Sequence, residues 1–289
     1  MNKTCAFLTM EDPTGFFVED ELAVGPLAEL GWAVQNVPWT ASGINWSEFE
    51  AVIIRSTWDY QKSPDRFLKT LEAIEASDTR LFNPLSICRW NLHKSYLRDL
   101  KQKGVPIVPT KWYDRLDEAT VDASFTESGT DRIIVKPVIG ANADDTYLLH
   151  RENPSNWRTA LNAFADSPLM LQPFIDSVIE TGEYSLFYFG NQYSHAVIKN
   201  PRQGDFRVQE EHGGTVEAIE PSPAMLNTGN QIMTTIGSIL LYARVDLVLL
   251  PDGSPALIEL ELIEPTLHFT CDPESPTRFA KTLDFMVGQ

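Results

Sequence analysis

Three carboxylates fall inside an otherwise apolar β-hairpin near the end of the chain, and their placement restricts what can surround them. Residues 244–250 and 256–263 are rich in strand-forming side chains and flank Pro251, Asp252, Gly253 and Ser254, a turn signal. Pairing Leu250 with Pro255 places Asp246 opposite Glu259 and Arg244 opposite Glu261, and the two-residue alternation of a strand puts Glu261 on the face of Glu259. Like charges directly across a strand pair destabilise it, so the hairpin requires a countercharge. A bound Mg²⁺, taking carboxylate oxygens together with substrate phosphates, would supply one and make the hairpin a metal platform for a nucleotide. Pairing of Glu261 with Arg244, with the other carboxylates solvated, would supply another. The hairpin alone does not choose between them.

The chain has 289 residues, a length that suits two or three compact subdomains rather than one core. Its net charge of −17 and its lack of any Lys/Arg cluster argue against a nucleic-acid partner, because phosphates would be repelled. An anionic ligand remains compatible only if the few basic residues that bind it converge in one cleft. Cys5, Cys88 and Cys271 are odd in number, widely spaced and without His at zinc spacing, which argues against a disulfide framework. No signal-peptide pattern opens the chain, and no apolar stretch approaches the roughly 20 residues that span a bilayer. The expectation is a cytoplasmic protein with no membrane partner.

Strand-like segments at 5–10, 32–37, 51–56 and 80–83 alternate with helical patterns at 20–30 and 65–76, the signature of a small parallel sheet with helices on its faces. Residues 86–103 read as one helix carrying Lys94 and stopped by Gly104. Beyond it, 132–138 reads as a short buried strand followed by a loose loop at 140–145. A helix at 155–165, strands at 169–175, 184–189 and 193–199, a polar loop at 200–214 and a helix at 224–241 lead to the acidic hairpin. These changes divide the chain into 1–83, 84–168 and 169–289.

Lys136 ends an apolar strand just before a proline and the loop that begins at Gly140, a position suited to meeting a phosphate with loop amides closing over it. A lysine at a strand end also snorkels without function, and Lys94 on an amphipathic helix has an equally plain reading. Order and spacing across the chain carry more information than either residue. Lys94, the run Gly104, Val105, Pro106, the run Ile134 to Pro137, the run Leu171 to Phe174, the pair Gly182, Glu183, and then Asp246, Glu259 and Glu261 together resemble the ATP-grasp ligases, in their glutathione synthetase-like branch. Residues 55–60, the run Arg89 to Lys94 and the run Leu260 to Pro265 are most similar to the ATP-grasp ligases that close the ring of D-cycloserine and to related ligases of small-molecule, antibiotic-type biosynthesis. The glutathione synthetase branch usually has asparagine where Glu261 stands, and paired glycines where Ala141, Asn142 and Ala143 stand.

That resemblance implies an α/β protein with α+β subdomains: a parallel-sheet preATP-grasp domain over 1–83, a central subdomain with the Lys136 flap over 84–168, and a C-terminal subdomain with the metal site over 169–289. It implies a ligase that uses ATP and two Mg²⁺ ions to phosphorylate a carboxylate, after which a nitrogen or similar nucleophile displaces phosphate. Lys94 and Lys136 would hold phosphates, while Gln172, Pro173 and Phe174 would meet the adenine and Glu183 the ribose. Asp246, Glu259 and Glu261 would be metal ligands. Arg207, assisted by Lys199, would stabilise the acyl phosphate and the tetrahedral intermediate. Arg55, Gly213, Gly214 and Glu264 would contact an amino-acid-like substrate. The same resemblance leaves ring closure, intermolecular amide formation and non-catalytic ATP binding open, and homodimers occur among such ligases. His93, His195 and His212 stay outside the catalytic set, since no carboxylate partner is visible for them in the sequence.

Overall fold

The computed structural model describes residues 3–289 and contains three sheets. The first is parallel, as the opening alternation requires, with β1 (Lys3–Thr9), β2 (Trp32–Pro38), β3 (Ala51–Ile54) and β4 (Arg80–Phe82) in the order β2-β1-β3-β4. Both faces of its central strands are covered. Cys5, Phe7, Ala51 and Ile53 pack with Leu27 and with Phe279 and Leu283 of the C-terminal helix Ser275–Gly288, while Ala6, Leu8, Val52 and Ile54 pack with Phe67, Leu71 and Ile74 of the helix Pro64–Glu75. Burial on two sides explains why these strands read as unbroken apolar runs.

The second sheet is antiparallel and contains β5 (Lys111–Tyr113), β6 (Arg132–Pro137), β7 (Tyr147–His150) and β8 (Leu169–Pro173) in the order β5-β8-β6-β7. The third contains β9 (Glu183–Phe189), β10 (Gln192–Asn200), β11 (Thr215–Ala218), β12 (Tyr242–Leu249) and β13 (Pro255–Glu261) in the order β11-β10-β9-β12-β13. Leu186, Tyr188, Val245, Leu247, Leu257 and Leu260 of this sheet form a core with Tyr96, Leu97 and Leu100 and with Ile232 and Met233 of the helix Pro223–Ile236. No helix among the described residues is long and apolar enough to cross a membrane.

Several local features depart from the sequence reading. The helix expected through 86–103 is two helices, Leu85–Leu92 and Tyr96–Gln102, because His93 takes an extended backbone (φ −104°, ψ 120°). Freed from the helix, the Lys94 amide donates to the Val138 carbonyl at 2.7 Å, which ties the lysine to the end of β6. The helix expected to reach 241 stops at Ile236, where Gly237 turns left-handed (φ 75°). A helix at Glu118–Ser128 was not anticipated, although Asp117 caps it by accepting from the Thr120 amide at 2.8 Å and Gly129 ends it. β8, which a boundary at 168 would assign to the last unit, pairs with β5 and β6 in the second sheet.

The hairpin pairs Leu249, not Leu250, with Pro255. A bulge at Ile258 then restores the expected alignment, so that Asp246 lies opposite Glu259 and Arg244 opposite Glu261. Asparagines fix this strand pair from outside. The Asn91 amide donates to the Leu260 carbonyl and accepts from the Leu262 amide, both at 2.9 Å. Fully buried Asn83 donates to the carbonyls of Tyr242 (2.9 Å) and Leu262 (2.7 Å) and accepts from the Leu241 amide (2.9 Å), joining the end of the first sheet to the third.

Candidate active site

One cleft gathers side chains from the second and third sheets and from segments that follow strands of the first. Lys136 on β6, Gln172 and Pro173 on β8, and Phe174 and Ile175 after it form one wall; Glu183, Lys199, Arg244, Ile258, Glu259 and Glu261 from the third sheet form the other. Trp58, Tyr60 and Phe17 of the first unit line the same cleft, together with Glu264, Thr266 and His268. The loop at 140–144 lies over the cleft, where the Asn142 amide donates to the Trp58 carbonyl at 3.2 Å and the Gln61 amide to Asp144 at 3.3 Å. Asn142 and Ala143 both hold left-handed backbones (φ 57° and 55°), the conformation that paired glycines would adopt without cost.

Four cations, Lys136 from β6 among them, and four carboxylates are interleaved around the cleft. Lys94 contacts Glu259; Lys199 bonds Glu183 at 2.5 Å and lies 3.4 Å from Asp246; Arg244 bonds Asp246 at 3.0 Å and also meets Glu261. Lys136 forms no ion pair among the described residues. Burial, reinforced by the nearby Lys94 ammonium, holds its pKa below the ordinary lysine value. Burial alone would also lower Lys94, but Glu259 more than offsets it and leaves Lys94 above the ordinary value. Lys136 is thus the cation in this set whose charge the protein does not already neutralise, the condition for meeting a phosphate.

Asp246 behaves differently from the two glutamates. It is 1% exposed, accepts from the Ser185 hydroxyl at 2.5 Å, and does not line the cleft. Burial would raise its pKa, yet Arg244 and then Lys199 hold it well below the usual carboxylate range. Among the described residues no cluster of three or more His, Cys, Asp or Glu side chains is poised for a metal. Mg²⁺ does not need one, because it commonly takes one or two carboxylates and completes its shell with phosphate oxygens and water. Glu259 and Glu261, two residues apart on β13 and both facing the cleft, fit that requirement.

The cycloserine biosynthesis protein DcsG of Streptomyces lavendulae is 30% identical to this chain over 274 residues, which cover 88% of the chain and 89% of the relative. The chain is an ATP-grasp ligase of the D-cycloserine synthetase family. A family model described as the N-terminal domain of D-cycloserine synthetase DcsG matches residues 5–83 of the ligase. The crystal structure of D-cycloserine synthetase DcsG superposes on it with a TM-score of 0.86 at 28% identity, over 98% of this chain and 99% of that one. At 16% identity, ATP-grasp ligase PsnB, solved with a minimal precursor, Mg and ADP, shares the fold with a TM-score of 0.65 over 99% and 98% of the two chains.

Most residues singled out in the ligase sequence meet in the cleft: Lys94, Lys136, Gln172, Pro173, Phe174, Glu183, Lys199, Arg207, Glu259, Glu261 and Glu264 all line it. Gln172 is committed elsewhere in part, since its amide donates to the Thr110 hydroxyl at 2.9 Å. Arg207 folds back on Asp205, with nitrogens 3.1 and 2.8 Å from its two oxygens. Four residues stand outside. Arg55 is 2% exposed, bonds Asp20 and the Pro265 carbonyl, both at 2.9 Å, and lies over the Tyr242 ring; its contacts join the first unit to the loop after β13. Asp59, the surface partner suggested by sequence proximity, instead accepts from the Trp39 indole at 2.6 Å. Gly213 and Gly214 shape the 204–214 loop without lining the cleft. Gly213 is left-handed (φ 82°), and a Cβ on Gly214 would lie 2.1 Å from the Val208 carbonyl oxygen. Asp246, the fourth, lies beneath Arg244 and Lys199 as their counterion.

The sequence reading gave Arg244 only a pairing role, included Trp58 and Tyr60 in the 55–60 motif without a role of their own, and passed over Phe17, Glu210 and His268. Arg244 could have been found from its register, since a strand residue two before Asp246 shares its face. The others come from loops, and no spacing rule brings them to the cleft.

Proposed function

We propose that this ligase activates the carboxylate of one small amino-acid-like substrate with ATP and closes a ring by attack of a nitrogen within the same molecule. The reading draws on the cycloserine role named for its Streptomyces lavendulae relative. The observation that carries it is the set of bulky side chains from the first unit, Phe17, Trp58 and Tyr60, that line the same cleft as Arg207, Arg244 and Glu264. Such side chains leave less room there and favour one compact substrate over two.

Nucleotide would lie between β6 and β8 on one side and the third sheet on the other. Lys136 and Lys94 would bind phosphate oxygens, and Lys94 would exchange Glu259 for them. Glu259 and Glu261 would hold magnesium, which would supply positive charge to neutralise the transferring group. The substrate carboxylate would face Arg244 and Arg207, whose charges are placed where the acyl phosphate and then the tetrahedral intermediate become more negative. Gln172 and Phe174 would meet the adenine, and Glu183 the ribose. Pairing of β8 within the second sheet supports moving the boundary of the central subdomain beyond Pro173.

The test is ADP release with MgATP and a panel of D- and L-amino acids and their O- and N-substituted derivatives, presented singly and in pairs, with products read by mass spectrometry. Ring closure gives turnover with a single compound and a product lighter than the substrate by one water. Turnover only with pairs would establish the intermolecular reading instead, and a protein that binds MgATP but releases no ADP with any compound would be a binding protein.

A further inference from the structure

His268 is held by three separate parts of the chain. It is 5% exposed, and its backbone is left-handed at φ 44° and ψ 48°, a conformation that non-glycine residues adopt rarely and retain where the surroundings impose it. On one side, the carbonyl of the preceding Leu267 accepts from His195 of β10 at 2.9 Å. On the other, Glu19 of the first unit accepts from the amides of Phe269 and Thr270 at 2.8 and 3.1 Å. The edge of Phe187 fixes the ring itself, with centroids 5.8 Å apart and planes at 76°. Buried groups from two units are thus spent on presenting one imidazole.

That imidazole opens to the cleft. Its Nδ1 lies 3.9 Å from a carboxylate oxygen of Glu210, and neither ring nitrogen has a hydrogen-bond partner among the described residues. Burial, and then the cations Arg244 and Lys199, push its pKa well below the ordinary histidine value; Asp246 acts the other way and His195 adds to the lowering. The ring is therefore neutral before reaction, with Nδ1 toward Glu210 and Nε2 left to the cleft, which Arg244, one of the two cations that would face the acyl phosphate, also lines.

We propose that His268 is the general base of the second half-reaction, a role that rests on the ligase reading above. As the substrate nitrogen bonds to the acyl-phosphate carbon, Nε2 takes the proton that the nitrogen must lose, and the carbon–oxygen bond to phosphate breaks with its electron pair leaving on phosphate. Glu210, facing Nδ1, stabilises the imidazolium formed. The proton then passes to solvent or to the departing phosphate, so that His268 ends neutral.

A base used only in the second half can be separated from the first half with hydroxylamine, a small nucleophile that is already unprotonated at neutral pH and intercepts an acyl phosphate as its hydroxamate. His268→Asn suits the test, because asparagine tolerates the left-handed backbone and keeps a donor toward Glu210 while removing Nε2. With the compound that supports ADP release by the wild type, His268→Asn should form ligated product about 10²-fold or more slowly. Its hydroxamate formation in added hydroxylamine should stay within about 3-fold of wild type, since phosphoryl transfer is untouched. Should the asparagine variant not fold by circular dichroism, His268→Gly, which also accepts this backbone, is measured in the same way. Product formation at the wild-type rate, or product and hydroxamate falling together, would overturn the assignment. Absence of ADP release by the wild type with every compound would instead remove the ligase reading, and this proposal with it.

Discussion

Glu264 lines the cleft without an ion pair among the described residues, and burial, followed by the nearby Glu261, raises its pKa to about 8. Between the ordinary carboxylate value and that point, the folded protein holds a proton that the unfolded chain has released, so folding stability must fall as pH rises through this window. Glu264→Gln is neutral throughout and escapes the loss. The free variant should match wild type in unfolding free energy near pH 4.5 and exceed it progressively toward pH 8, by on the order of a few kcal/mol at the upper end. A constant difference across pH, measured by calorimetry, would show that Glu264 is ionised in the folded state. Arg244 presents the opposite case, since its removal leaves Glu261 without a cation and Asp246 with Lys199 alone. Arg244→Gln should cost about 3–5 kcal/mol in urea unfolding. Arg244→Lys should recover only part of that, because an ammonium cannot span both carboxylates as the planar guanidinium does. Equal stability of the lysine variant and wild type would mean that charge alone, not fork geometry, holds the cluster.

At the scale of elements, the hairpin shows how register and function are separated. Its alternating apolar positions and its turn residues were enough to place Asp246 against Glu259, because a one-residue slip would turn Leu257 and Leu260 away from the core. The bulge was not legible, since Ile258 is as good a strand residue as its neighbours and the turn gives no sign of a shifted start. Its consequence lies in the cleft, where both Ile258 and Glu259 face because of the inserted residue. Deleting Ile258 should leave a regular ladder with Asp246 still opposite Glu259. The variant is expected to fold with a melting temperature near that of wild type, yet to bind MgATP about 10-fold more weakly for want of an apolar contact at the cleft floor. Calorimetric titration reads the affinity, and unchanged binding would assign the bulge to sheet twist alone. The break between the two helices around Lys94 was likewise hidden: the run from Ser86 to Lys103 contains no proline or glycine, and the partner that opens it, the Val138 carbonyl, lies 44 residues away.

Across the whole molecule, sequence reading succeeded where a feature is carried by one continuous stretch and failed where it depends on the meeting of distant ones. The parallel sheet, Lys136 before its loop and the acidic hairpin are local patterns. Burial of Arg55 depends on Asp20 and Pro265, and the pinning of His268 on Glu19 and His195, so neither could be read from its own segment. These long-range bonds share a direction, for most of them fasten the first unit to the last. Asn83 binds Leu241, Tyr242 and Leu262; the Trp58 indole donates to the Glu264 carbonyl at 2.9 Å; the helix Ser275–Gly288 packs on the first sheet. The second sheet shares apolar contacts with the third through Met170 and Trp112, but its side-chain hydrogen bonds to the first unit are few, made by Asn142 and Asp144 of the overlying loop. The first and third sheets should therefore behave as one rigid body, with the second sheet moving against it when nucleotide enters. Asn83→Ala, which strands three buried backbone groups, should cost about 3 kcal/mol and lower the stability of the first and last units together in one transition. Hydrogen exchange on MgATP binding should slow mainly in residues 136–147 and along β8, while the amides of Leu241 and Leu262, already held by asparagine side chains, change little. Equal slowing at the Asn83 and Asn91 contacts would show that nucleotide tightens the joint between the outer units as well, and that the rigid pair is formed only on binding.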